Sequence, residues 1–171
     1  MSQSVAEHRA EALTSLNLAI ITVSDTRTIE TDSSGALIIK LAEAAGHVIV
    51  DRAIVADEPS IMTPLLVSYR DRDDLHAVLM TGGTGVTQRD QTYETVAALL
   101  NKTMPGYGEL FRMLSYPEIG TACMLSRAIG GVMGKLIVLT MPGSRAAVEL
   151  AMNKVILPEI THLVREARKG L

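Results

Sequence analysis

"HAVLMTGGTGVTQRD" (His76 to Asp90) runs from a short apolar stretch straight into three glycines and ends on an acid. It reads as a strand that stops in a glycine loop. Beyond it, Tyr93 to Leu100 has helical spacing, with Asp90 or Thr92 as candidate caps. A strand, a loop and a helix in that order form the repeating unit of a parallel sheet covered by helices.

The same unit recurs in both directions. "LAIITVS" (Leu18 to Ser24) is β-branched and almost continuously apolar, which suits a strand buried on both faces. Asp32, Ser33 or Ser34 can cap a helix with Leu37, Ile38, Leu41, Ala42 and Ala45 on one side and Gly46 at its end. "HVIVDRAIV" is a second strand, and "ADEPS" leads into a helix through Ile61, Leu65 and Leu66. "MPGYGELFRMLSYPEIG" has helical spacing between glycine-proline breaks, and "KLIVLTM" is a strong late strand preceded by the weaker "RAIGGVM". A helix follows "PGS" with Val148, Ala151, Met152 and Val155 on one stripe. After Pro158, Ile160, Leu163, Val164 and Ala167 carry a helix to a basic end. The expectation is a doubly wound, three-layer α/β/α domain with a mostly parallel sheet over residues 17–171, preceded by a polar extension over 1–16 with a short helix around Glu7 to Leu16. Its ligand crevice belongs at the carboxyl ends of the strands.

Composition narrows the function. The chain has 171 residues, 47% hydrophobic and 20% charged, with sixteen Lys+Arg against nineteen Asp+Glu. The net charge of -3 and the absence of Trp leave no basic, base-stacking surface, so nucleic acid is excluded as a partner. No apolar run approaches membrane-spanning length and the N-terminus lacks a signal-type core, so a cytoplasmic protein with no membrane partner is expected. Cys123 is the only cysteine and reads as a buried thiol. His8, His47, His76 and His162 form no ligand set, and His47 and His76 stand at strand starts, away from the ligand edge.

The glycine loop carries the chemistry. Gly82, Gly83 and Gly85 permit positive φ and remove the Cβ atoms that would block an anion. Backbone N–H groups and a helix N-terminus then face phosphate oxygens, with the Thr81, Thr84 and Thr87 hydroxyls beside them. The loop is not a P-loop, since no Lys lies between Gly82 and Asp90. It also lacks the last glycine of a dinucleotide fingerprint, which disfavours a dehydrogenase. A tight turn with a helix cap is the bland alternative. Two unit charges 4 Å apart interact by about 4 kcal/mol at an effective dielectric near 20, so an unscreened Asp90 beside phosphate is a penalty. An Asp90 that holds Mg²⁺ there contributes binding instead. Asp57, after the second strand, is a second carboxylate candidate. Asp25, after the first, occupies the same kind of place, and Arg89 either holds the loop or reaches a phosphate. "TMPGS" (Thr140 to Ser144) is another strand-to-helix turn with Ser144 as cap.

The motifs "SGALIIKLAEAAGH", "IVADEP", "TGGTGVTQRDQTYE" and "MPGYGELFRMLSYPEIGTACMLSRAIGGVMGKLIVLTMPGSRAAVELA" closely resemble the molybdenum cofactor biosynthesis protein B branch of the molybdopterin adenylyltransferase superfamily, over about residues 17 to 160. The resemblance implies a three-layer domain assembled as a homotrimer or homohexamer. It further implies Mg²⁺-dependent reaction of ATP with molybdopterin to give adenylyl-molybdopterin and pyrophosphate, with other cofactor-biosynthesis proteins acting downstream.

Carried over by position, the family's loop matches Gly82, Gly83, Thr84 and Gly85, and its two essential acids match Asp57 and Asp90, the expected catalytic and metal-holding pair. Substrate-binding positions match Ser24 and Asp25, Ser126 and Arg127, and the Pro142–Gly143 turn with Ser144, while Arg89 precedes the second acid. Some members lack the first acid or the loop arginine. This chain keeps Asp57, Arg89 and Asp90, which favours an active enzyme over a degenerate paralogue. A non-catalytic molybdopterin carrier is the rival from another class. A hydrolase of the competence-damage-inducible group fits less well at Thr84 and Arg89.

Overall fold

In the computed structural model, which describes residues 13–169, every residue of β1 (Asn17–Val23) after the first is buried. Leu18 and Ile20 enter one hydrophobic core while Ala19, Ile21 and Val23 enter another on the opposite face. Successive side chains of a strand alternate sides, so a strand covered on both faces must be apolar throughout.

The chain continues through α1 (Ser33–Ala44), β2 (Val48–Val55), α2 (Pro59–Arg70), β3 (Ala77–Thr81), α3 (Thr92–Leu99), β4 (Lys102–Thr103) and α4 (Pro105–Ile119). A 3₁₀ turn (Gly120–Leu125), β5 (Gly130–Met133), β6 (Leu136–Met141), α5 (Arg145–Ala151), a π turn (Met152–Ile156) and α6 (Leu157–Arg168) complete it. The strand order is β2-β1-β3-β6-β5-β4. The first four strands are parallel, and β5 runs antiparallel to both β6 and β4. Residues of α1, α4, α5 and α6 share one core, and those of α2 and α3 share the other, giving the three layers.

This topology positions the functional edge. The chain leaves β1 outward to β2 and then crosses back to β3 on the other side of β1. The loops after β1 and β3 therefore diverge, which opens a crevice at the carboxyl ends of the strands.

Local chemistry explains most boundaries and corrects several expectations. Asp32 caps α1 by accepting the Gly35 N–H, and Gly46 follows its end at φ +87°. In α2 the buried side is Met62, Leu66 and Tyr69, spaced i, i+4, i+7, which leaves Ile61 turned outward and 43% exposed. The residue before α3 is Gln91, with no side-chain cap, because the Asp90 carboxylate folds back onto Thr87. Cys123 is only partly buried: it sits in the 3₁₀ turn, none of whose residues is buried. The short strand β4 was not anticipated; its two residues are both exposed. Of the expected N-terminal helix, residues 7–12 lie outside the described residues, and 13–16 form a bend that buries Leu16.

Candidate functional site

Strands β3 and β6 end side by side, and their loops are fastened together. The Gly82 N–H donates to the Met141 carbonyl at 3.0 Å, and the Thr81 hydroxyl donates to the Pro142 carbonyl at 3.1 Å. The Ser34 hydroxyl donates to the Gly143 carbonyl at 2.8 Å, tying in the start of α1. Gly82 lies at φ +100°, where a Cβ would stand 2.2 Å from the Val23 carbonyl oxygen. Only glycine lets the loop pass this close to the end of β1.

The two acids close on the same loop. Asp57 is 6% exposed, and its Oδ1 accepts the Gln91 N–H at 3.0 Å. Gly83, at φ +63°, lies so near that a Cβ would fall 2.3 Å from Asp57 Oδ2. A Cβ on Gly85 would stand 2.8 Å from Asp90 Oδ2. Each carboxylate thus occupies the space that a glycine leaves free. Burial pushes the Asp57 carboxyl above the usual carboxylate range; the Gln91 amide opposes that shift and the Asp90 charge adds to it. The Asp90 carboxyl lies below the usual range, chiefly because the Thr87 hydroxyl donates to it at 2.6 Å, with the Thr87 and Gly85 amides and the Arg127 charge helping. Neighbouring carboxyls with perturbed ionisation, beside a crevice, mark a candidate functional site.

Around this pair the arginines are engaged within the protein. Arg89 grips Asp25 through two bonds, Nε to Oδ2 at 2.7 Å and a terminal nitrogen to Oδ1 at 2.6 Å, with Glu58 3.4 Å away. Asp25 Oδ1 also accepts the Asp57 N–H at 3.2 Å, so the loops after β1, β2 and β3 are laced together. The Arg89 side chain and the Asp57 amide hold the Asp25 carboxyl below its ordinary value. Arg127 donates to the Gly85 and Asp90 carbonyls and pairs with Glu94.

A cavity of about 400 Å³ opens beside the loop. Gly82 to Gly85, Asp90 and Ser126 form one wall, Pro142 to Ser144 another, and Phe111, Ile119 and Leu150 much of the apolar remainder, with Ser115 between them donating to the Phe111 carbonyl. The Ser126 Oγ is covered and has no hydrogen-bond partner among the described residues. Across the Gly82–Gly143 contact, a smaller cavity of about 90 Å³ is lined by Ser24, Arg27, Asp32 and Ser34. Ser24 and Asp25, the glycine loop, Asp57, Arg89 and Asp90, Ser126 and Arg127, and Pro142 to Ser144 are therefore gathered at one sheet edge. Ser144 caps α5 by accepting the Ala147 N–H.

His47 and His76 lie at the opposite ends of their strands, where the His76 Nδ1 accepts the Asn17 N–H at 2.8 Å. Sequence reasoning missed the cavity wall that α4 supplies, although the i, i+4, i+8 spacing of Phe111, Ser115 and Ile119 sets them on one helix face.

Of the carboxylates at this edge, Asp25 is taken up by Arg89, while Asp57 and Asp90 pack against the glycine loop. Among the described residues, no group of three or more His, Cys, Asp or Glu could hold a metal. A pair of carboxylates fits Mg²⁺, which takes one or two from protein and completes its octahedron with phosphate oxygens and water.

Sheet order and edge chemistry define an α/β domain whose glycine loop and acids meet at the carboxyl ends of the parallel strands of a mixed sheet. The family model described as "Probable molybdopterin binding domain" matches residues 19–162. Molybdenum cofactor biosynthesis protein B of Bacillus anthracis is 51% identical over 168 residues, covering 97% of this chain and 99% of the relative. A crystal structure of molybdenum cofactor biosynthesis protein B superposes with a TM-score of 0.87 at 49% identity, covering 90% of this chain and 96% of that one. The tungsten cofactor synthesizing protein MoaB from Pyrococcus furiosus superposes with a TM-score of 0.80 at 33% identity, covering 92% and 100%. The chain belongs to the molybdenum cofactor biosynthesis protein B family.

Proposed function

We propose that this protein serves molybdenum cofactor biosynthesis by transferring an adenylyl group from ATP to the terminal phosphate of molybdopterin. An oxygen of the pterin phosphate attacks the α-phosphorus of ATP. A new P–O–P bond forms, the α–β bond breaks, and pyrophosphate leaves with its electron pair. The attacking group is already anionic, so no general base is needed.

The observation that carries this reading is the buried Asp57 carboxylate set against Asp90 across Gly83 and Gly85. Asp57 and Asp90 would hold Mg²⁺, which when bound supplies charge neutralisation to the triphosphate. The chain's own contribution is placement. The glycine loop brings backbone close to a phosphate, the Ser126 Oγ offers a hydrogen bond inside the main cavity, and the apolar wall around Phe111 covers a flat ring and excludes water. Two polyanions held in line react mainly through orientation and electrostatic stabilisation.

Ser24, Asp25, Arg89, Arg127 and the Pro142–Ser144 turn border the reactants or support the groups that do. Self-association as a homotrimer or homohexamer is part of this proposal. Met113, Tyr116, Ile119, Met124 and Leu125 support it, since all are more than half exposed along α4 and the following turn. Among the described residues, no helix is long and apolar enough to cross a membrane; we place the protein in the cytoplasm.

The test is incubation of purified protein with molybdopterin, ATP and Mg²⁺. Adenylyl-molybdopterin and pyrophosphate in equal amounts are expected. Pterin binding without AMP transfer makes the protein a carrier and overturns the enzymatic reading.

A further inference from the structure

The Arg127 guanidinium ends beneath the glycine loop with all three of its nitrogens engaged by protein. Nε donates to the Gly85 carbonyl at 2.6 Å, one terminal nitrogen donates to the Asp90 carbonyl at 3.1 Å, and the other meets the Glu94 carboxylate. The Arg127 backbone N–H donates to the Thr84 carbonyl at 3.1 Å, and the Tyr93 ring centre lies 5.3 Å from the guanidinium carbon. Three loop carbonyls therefore face one residue.

That arrangement dictates where the loop's amides point. No described peptide bond is cis. In a planar trans peptide the N–H is directed opposite to the carbonyl. With the Asp90 carbonyl turned onto Arg127, the Gln91 N–H must point away from it, and it lands on Asp57 Oδ1 at 3.0 Å. With the Thr84 carbonyl turned the same way, the Gly85 amide faces the Asp90 carboxylate. The Arg127 side chain grips the Gly85 and Asp90 carbonyls, so it pins both ends of the segment that presents Asp90.

We propose that Arg127 is the positioning residue for both acids: it touches neither reactant, and it sets Asp57 and Asp90 through the peptides whose carbonyls it holds. A planar fork that reaches two carbonyls and a carboxylate at once is available to arginine and not to lysine, whose ammonium is a point donor on a flexible stem. The catalytic consequence rests on the adenylyl-transfer reading; the geometric one does not.

The test compares wild type with Arg127→Lys and Arg127→Gln, using amide hydrogen exchange resolved by residue alongside steady-state AMP transfer. The expected result is faster exchange at Gln91, whose peptide carbonyl the side chain holds, with the rest of the sheet edge unchanged. The turnover number should fall by about 100-fold, the scale of a small misplacement of reacting groups, with KM for ATP and molybdopterin little altered. A raised KM for one phosphorylated substrate, with turnover and the Gln91 amide as in wild type, makes Arg127 a substrate contact and overturns the proposal. If the Arg127 variants do not fold, Glu94→Gln loosens the guanidinium without removing it. It should accelerate exchange at the Gln91 amide, and an unchanged amide there overturns the proposal. A wild-type protein that transfers no AMP refutes the functional reading, while the exchange result still decides the role of Arg127.

Discussion

The Asp57 carboxylate accepts the Gln91 amide at 3.0 Å, one residue past Asp90. That bond makes two acids from loops more than thirty positions apart into one unit. The cost of bringing the acids together is visible in Asp57 itself, whose carboxyl is pushed up by burial and by the Asp90 charge against the pull of that bond.

Asp57→Asn should therefore separate activity from stability. Ionised Asp57 opposes folding at neutral pH, because its folded-state carboxyl is raised above the ordinary value. The variant keeps an oxygen to accept the Gln91 N–H. We expect a Tm at pH 7 equal to or above that of wild type, with the difference fading as the pH falls through the raised Asp57 pKa. AMP transfer should drop by about 100-fold or more. Thermal unfolding across pH, run beside the transfer assay, checks both; a lower Tm at pH 7 contradicts the account.

Two glycines with positive φ should respond very differently to alanine. At Gly83 a Cβ meets the Asp57 carboxylate at 2.3 Å, so Gly83→Ala should displace the acid and abolish transfer. At Gly46, φ +87°, a Cβ meets nothing within 4 Å. Gly46→Ala should cost only the backbone strain, about 1–2 kcal/mol, and leave the rate alone. Equal losses of activity in the two variants would show that the Gly83–Asp57 contact is immaterial.

Asp32 anchors the start of α1 beneath the crevice. Its carboxylate accepts from Gly35 N at 2.8 Å, Thr22 Oγ1 at 2.7 Å and Arg52 at 3.1 Å. Burial works against its charge, yet these partners prevail and hold the carboxyl below the ordinary value. Asp32→Ala loses a helix cap and unpairs Arg52, at about 3 kcal/mol measured by denaturant unfolding. The stability that ionised Asp32 contributes is complete above the unfolded carboxylate pKa, about 4, and disappears as the pH falls through its lower folded value. Wild type should thus lose Tm more steeply than Asp32→Asn on acidification below pH 4.

Arg89 and Asp25 should behave as a pair. If the guanidinium serves to lace the loops through Asp25, Arg89→Gln and Asp25→Asn each slow transfer, and the double variant is no slower than the worse single one. Losses that multiply, with a raised KM for ATP in Arg89→Gln alone, would show that Arg89 works on phosphate independently.

The fold was readable where burial is two-sided. Strands β1, β3 and β6 are apolar runs because both faces are covered, and the stripe Val148, Ala151, Met152, Val155 is buried as its spacing demands. The short strand β4 was not readable, because two exposed residues carry no periodicity. Residue types placed the acids and glycines at the ligand edge, but not their connections. Arg127 matches a substrate-binding position by resemblance; besides Glu94, its side chain holds the carbonyls of Gly85 and Asp90, which every residue possesses. Arg89 likewise finds Asp25 only because the sheet order sets β1 beside β3.

The most direct measurement is a crystal structure of the full chain with Mg²⁺ and a non-hydrolysable ATP analogue. The account predicts a cation bonded to Asp57, Asp90 and the triphosphate, with a phosphate against the Gly82–Gly85 backbone. A triphosphate bound elsewhere, with both carboxylates still facing only Gln91, Thr87 and Gly85, would contradict it.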